Sequence, residues 1–172
     1  MTSIIKVDQI QNAAGGVPTA ADLGLNVSGS IVNVAQVDLG VGQTVSSTSF
    51  VQITNASLTV TPKSASNTIL IEGVSHQYFN NSQSAYWKAG PLAIYRDATK
   101  IADDNANGGE YGVAILSGTI VMIKSILSVI DAPNTTGPIT YTLHTRNVNS
   151  NNPSFVANGY GIGYLRVMEI AG

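Results

Sequence analysis

The sequence predicts an all-β chain folded as an antiparallel sandwich, on three observations. Short stretches rich in Val, Ile, Thr and aromatic residues recur along the 172 residues, many alternating apolar with polar, and Gly, Pro, Asn and Asp separate them. No stretch carries the 3.6-residue apolar spacing of an amphipathic helix. Ser, Thr and Asn make up roughly a quarter of the chain and Gly contributes 17 residues, a composition that favours strands and turns.

The longest strand signal is Asn67 to Phe79, NTILIEGVSHQYF. Alternation sends Ile69, Ile71 and Gly73 to one face and Leu70, Glu72 and Val74 to the other, so both faces are largely apolar. One face meets the second sheet. The other needs a cover that this helix-free chain lacks, which points to a sister copy.

Taken in order, residues 1–30 read as an N-terminal extended segment. Ile5 and Val7 alternate with Lys6 and Asp8 in a short strand, followed by an Ala- and Gly-rich run. Ile4, Ile5, Val7 and Ile10 are the apolar contacts expected of an attachment segment ordered against a partner. Residues 31–172 read as the sandwich domain. Its expected strands are Ile31 to Val37, Thr44 to Ile53, Leu58 to Thr61, the long central strand, Leu92 to Tyr95, Ile139 to Val148 and Tyr164 to Ile170. Between them, NNSQSAYWKAGP and DDNANGG read as loops, and NSNNPS as another. The terminal strand is expected to pair with the first. No repeat of fixed period is present, which sets solenoids and propellers aside.

The window Val113 to Ile130 has the length of a membrane span, but Lys124 lies inside it and Ser117-Gly118 marks a turn. It reads as two buried strands joined by that turn. MTSIIKVDQI has neither the charged nor the apolar region of a secretory signal. A formal net charge of -2 with 10% charged residues gives no electrostatic footprint for nucleic acid or an anionic membrane surface. Cysteine is absent, which rules out disulfides and thiolate metal sites. A surface so poor in charge is adhesive, again favouring self-association.

No G-x-S-x-G or H-E-x-x-H is present, and His76 and His144, the only two histidines, each fall within an expected strand. Both read as hydrogen-bonded sheet residues, with a metal shared on a threefold axis as the alternative. Asp103, Asn105, Asn107 and Gly108 match the start of a calcium loop, but Ala114 stands where the bidentate Glu belongs, so a plain turn is the simpler reading. Tyr86, Trp87, Asp103, Asp104, Asn105 and Tyr111 are the candidate ligand contacts, aromatic faces beside polar loops suited to a glycan. Asp97, Asp103, Asp104 and Glu110 are the carboxylates from which a sugar-cleaving pair would have to come. No catalytic residue and no cofactor is expected.

Two parts of the chain together carry a family likeness. The opening IKVDQIQNAAGGVP with ADLGLNVSGSIV resembles the segment preceding the C-terminal domain of tail-fibre-like proteins of tailed phages, notably those of cyanobacteria. TSFVQI, LTVTPKSASNTILIEGVS, LAIYRD, APNTTGPITYTLHTR and YLRVMEI are similar to that domain. The resemblance implies a virion structural protein assembled in the host cytoplasm. Its expected form is a homotrimer of β-sandwiches, jelly-roll/TNF-like, joined to other virion proteins through its N-terminus. No repetitive shaft is present, so a short tail fibre or spike touching host-surface glycan is expected. The alternatives are a capsid or tail decoration (cement) protein and, from another class, a carbohydrate-binding module.

Overall fold

The computed structural model describes residues 11, 15–17, 28–40, 42–80, 85–88, 90–104, 112–115, 120–147, 155–157, 161 and 163–172. The apolar run at the centre of the sequence becomes its longest strand, β4, and the other strands are arranged around it. In chain order they are β1 (Ile31–Asp38), β2 (Gln43–Val45), β3 (Val51–Val60), β4 (Thr68–Asn80), β5 (Ala85–Lys88) and β6 (Leu92–Arg96). Then follow β7 (Thr99–Asp103), β8 (Gly112–Ile115), β9 (Ile120–Asp131), β10 (Ile139–Thr145), β11 (Phe155–Ala157) and β12 (Tyr164–Ile170).

Eight of these strands make the sandwich. The larger sheet runs β1-β12-β4 with β9 on the far side of β4, and the smaller runs β3-β10-β6-β7, every pair antiparallel. Counting only these eight, the orders are first-eighth-third-sixth and second-seventh-fourth-fifth, the jelly-roll arrangement. The first and last strands pair from Ile31↔Ile170 to Asp38↔Tyr164, as expected from the sequence.

The core lies between the sheets. Ile69 and Ile71 of β4, Leu165 of β12, Ile53 of β3, Leu92 and Ile94 of β6, and Tyr141 and Leu143 of β10 are fully buried there. Burying each of these side chains contributes about 1.5–3 kcal/mol. The sheets approach closely at Gly73, where a Cβ would stand 2.5 Å from Leu143 Cδ1. At one edge, Asp131 Oδ2 accepts from the Tyr141 hydroxyl at 2.8 Å, and both its oxygens accept from Arg96 Nη1 at 2.9 and 3.0 Å. Burial and this carboxylate push the Tyr141 phenol far above its ordinary pKa.

Several expectations change. The two strands anticipated at 44–53 and 58–61 are one strand, β3, with the separate short β2 before it. The anticipated break is a bulge: Asn55 takes a φ of 62°, and the register with β10 shifts between Thr142 and His144. The bulge resets the alternation, so Ile53 and Ala56 both reach the core. The apolar window 113–130 does form strands, but not a hairpin. β8 pairs with β5 and β9 pairs with β4, because the long β4 offers β9 a partner along the full run Ile69↔Asp131 to Asn80↔Ile120. Tyr86 and Trp87 lie in strand β5 rather than in a loop, and β7 is a strand the sequence reading missed. No helix among the described residues is long and apolar enough to cross a membrane.

Candidate assembly face and loop end

In an antiparallel pair, residues opposite one another share a face, so the strand registers define the outward rows of the large sheet. From β9 to β1 one row reads Ile130, Leu70, Met168, Val34. The next reads Ser128, Glu72, Arg166, Gln36, and the third Ile126, Val74, Tyr164, Asp38, of which Val74 is itself buried. Beyond these, Lys124 stands beside His76 and Met122 beside Tyr78. Ile31 and Ile170 extend the apolar surface at the opposite margin. Ile130 is 64% exposed, Met122 63%, Ile126 56% and Val34 56%, and with Ile31 and Val17 they are the large exposed apolar residues among those described. All but Val17 lie on this face. Scattered singly such residues would mean little, but here they form a continuous sheet surface.

The polar row crossing that surface is bonded within itself. Arg166 Nε donates to Gln36 Oε1 at 2.9 Å, the Arg166 guanidinium lies 4.7 Å from the Tyr164 ring centroid, and the Tyr164 hydroxyl donates to Glu72. That carboxylate, holding the hydroxyl proton, keeps the Tyr164 phenol above its ordinary pKa. A polar group whose hydrogen bonds are already made can be covered at little further loss. Lys124 makes no hydrogen bond or ion pair among the described residues.

The outward face of the small sheet is the opposite in kind. Gln52, Ser57, Thr59, Thr140, Thr142 and His144 lie along it, and the hydroxyls of Thr59 and Thr140 are 2.8 Å apart. His144 packs on Tyr95 with ring centroids 4.2 Å apart and its Nε2 is 2.9 Å from Thr142 Oγ1; burial lowers its pKa. Phe50 carries two cations, Lys100 Nζ and the Arg146 guanidinium, each 5.4 Å from its ring centroid. Lys100 pairs with Asp103, and burial raises the pKa of the neighbouring Asp104.

The strand directions sort the connections by end. Gly29 N donates to Ala171 O and Ala171 N to Ser30 O, both at 2.8 Å, so residues 28–30 meet the C-terminus at one end. Glu169 closes this end: buried, it accepts at 2.6 Å from Lys63 N and from Asn67 Nδ2. Only short links join strands there, 61–67, 97–98 and 132–138. The strands joined through 39–50, 81–91, 104–119 and 146–163 meet those connections at the other end. Two cross-pairings tie them together, β5 with β8 and β2 with β11. Long connections gathered on a rigid frame are where binding residues concentrate.

Most of the sequence-predicted ligand residues belong to that end. Tyr86 and Trp87 stand on β5, opposite Ala114 and Val113 of β8, while Asp103 ends β7 and Asp104 follows it. Asn105, Asn107, Glu110 and Tyr111 lie outside the described residues, as do Ile4, Ile5, Val7 and Ile10 of the expected attachment segment. Asp97 sits in the turn between β6 and β7, at the opposite end from Asp103 and Asp104. Among the described residues no three His, Asp or Glu side chains gather as a metal would require. His76 lies on the outward face of β4, but a Cβ at Gly161 would stand 2.6 Å from its ring, so the chain itself covers it.

No protein-family model matches the chain, and no curated protein matches it. Solved structures do. It is similar to a chain of infectious bursal disease virus Gx strain at 17% identity and a TM-score of 0.44, over 81% of this chain and 32% of that one. It is also similar to VP2 in a subviral particle of the same virus, at 19% identity and a TM-score of 0.41, over 83% of this chain and 34% of that one. The chain thus spans about a third of the length of each.

The sequence reading missed Phe50, Lys100 and Arg146, which are far apart in the chain and meet only through sheet pairing. It also missed the Glu72–Tyr164–Arg166–Gln36 ladder. Alternation within YLRVMEI does put Arg166 on the same face as Tyr164, but nothing in the sequence says which strand lies beside it.

Proposed function

We propose that the chain is a non-enzymatic structural protein of a tailed-phage virion, a short fibre or spike head that works as a homotrimer. The observation that carries this reading is the apolar outward face of the large sheet, set against the polar outward face of the small one. A lone protomer would leave the apolar face in water, whereas a ring of three turns it inward. The division of the two ends supports the same reading. The N-terminal segment leaves beside the C-terminus, where it joins the particle, and the long connections at the opposite end meet the host surface. Contacts of that kind are individually weak, and copy number multiplies them. The sequence likeness to tail-fibre C-terminal domains supports the virion assignment.

The test has two arms. Light scattering on the purified full chain gives a trimer, and Ile126→Asp, which places a carboxylate in the apolar face, gives a folded monomer. The trimeric chain, added in excess, competes with phage particles for adsorption to host cells. A wild-type monomer overturns the assembly reading, and tight capture by assembled capsids without binding to cells overturns the fibre reading.

A further inference from the structure

We infer that the large-sheet face recruits a second copy of this chain in one orientation only, side by side with strands parallel to the symmetry axis. In this arrangement the β9–β4 half of one copy covers the β12–β1 half of the next. The inference deepens the assembly reading above by naming the contact that orients the copies.

The outward face carries four charged groups, Lys124 on β9, Glu72 on β4, Arg166 on β12 and Asp38 on β1. Turning one copy about an axis parallel to the strands keeps every row at its own height and lays β9 over the neighbour's β1 and β4 over its β12. Glu72 then faces Arg166 of the neighbour. Lys124 stands one row from the neighbour's Asp38, about 7 Å along the strand, a gap a lysine side chain spans. Ile130 covers Val34 and Leu70 covers Met168, apolar on apolar. The opposite orientation, about an axis across the strands, lays β4 on β4 and sets Glu72 against Glu72. β9 then lies on β9 and Lys124 is left near Ile130 of the neighbour, and like charges or unpaired charges buried in this way are strongly unfavourable.

Size gives a second argument. Four strands at about 4.8 Å and seven residues at about 3.3 Å project to roughly 440 Å², and relief adds to this. Each member of a stable complex buries about 800 Å². The whole face is therefore needed, its β9–β4 half against one neighbour and its β12–β1 half against the other.

The experiment uses the full chain with Lys124→Asp, Asp38→Lys and the double exchange, each checked for folding by circular dichroism. Each single exchange is expected to weaken association at least tenfold by sedimentation, and the double to recover most of it. Because the chain has no cysteine, Lys124→Cys with Asp38→Cys can be joined by a short bismaleimide. Covalent trimers are the expected product. An oligomer that is indifferent to both single exchanges, or gives no cross-link, overturns this inference and leaves the assembly reading standing. A wild-type monomer overturns both.

Discussion

Replacing Gly73 with alanine should weaken the sandwich where β4 packs tightly on Leu143 of the facing sheet. The new Cβ would lie 2.5 Å from Leu143 Cδ1, 3.0 Å from Cδ2 and 3.2 Å from Cγ. Leu143 is fully buried and cannot swing into water, so it shifts rotamer or the sheets separate. Overpacking of this kind costs about 1–3 kcal/mol. Removing glycine from the unfolded chain returns about 0.5 kcal/mol, leaving about 1.5 kcal/mol net. With an unfolding entropy of about 0.36 kcal/mol/K for a chain this long, the melting temperature should fall by about 4 °C at fixed protein concentration. Leu143→Ala alone should cost about 2–5 kcal/mol through the cavity it leaves. Combined, the alanine methyl at 73 enters that cavity without a clash, so the double variant should be at least 1 kcal/mol more stable than the sum of the singles. Urea denaturation of all four proteins measures this coupling. Additivity within about 0.5 kcal/mol would show that Gly73 and Leu143 do not compete for one space, refuting the packing argument.

Three further outcomes follow from the hydrogen-bonded and titrating groups. Glu169→Ala strips the acceptor from Lys63 N and Asn67 Nδ2 and should destabilise by about 2–3 kcal/mol, read by urea denaturation, with faster amide exchange at Lys63. Tyr141→Phe removes the hydroxyl bonded to Asp131 and should cost about 1 kcal/mol by the same measurement. His144 has a folded pKa below that of the unfolded chain, so the unfolded state takes up its proton first as pH falls below about 6.5. Stability should therefore drop on acidification from pH 7 to pH 5, and the drop should be smaller in His144→Gln, as melting curves across that range would reveal.

Alternation within single strands was legible in the sequence, because a strand's faces follow from its own residues. Thr68–Asn80 and Tyr164–Ile170 fall within a residue of where apolar spacing set them, and the division of Ile69 and Ile71 from Leu70 and Glu72 is the division between core and outward face. What failed were statements about partners. Ser117-Gly118 suggested a hairpin, yet the strands on either side pair elsewhere, since β4 is long enough to take the whole of β9. The sequence placed a break between Ile53 and Leu58, yet a bulge at Asn55, with its positive φ, is accommodated without ending the strand. The Phe50 cluster and the Glu72 ladder each assemble side chains from strands far apart in the chain. The expectation that an apolar face would be left over did come from the sequence. Which strands share it depended on pairing.

The hydrogen-bonded contact between Gly29 and Ala171 bears on how the molecule carries tension. A pull that enters through residues 28–30 and leaves at the far connections runs lengthwise along β1. It therefore shears the β1–β12 ladder from Ile31↔Ile170 to Asp38↔Tyr164, and its bonds resist together. A pull between residues 28–30 and Ala171, which lie side by side, opens the same ladder one rung at a time. The protein should withstand being dragged by its tip far better than being peeled at its base.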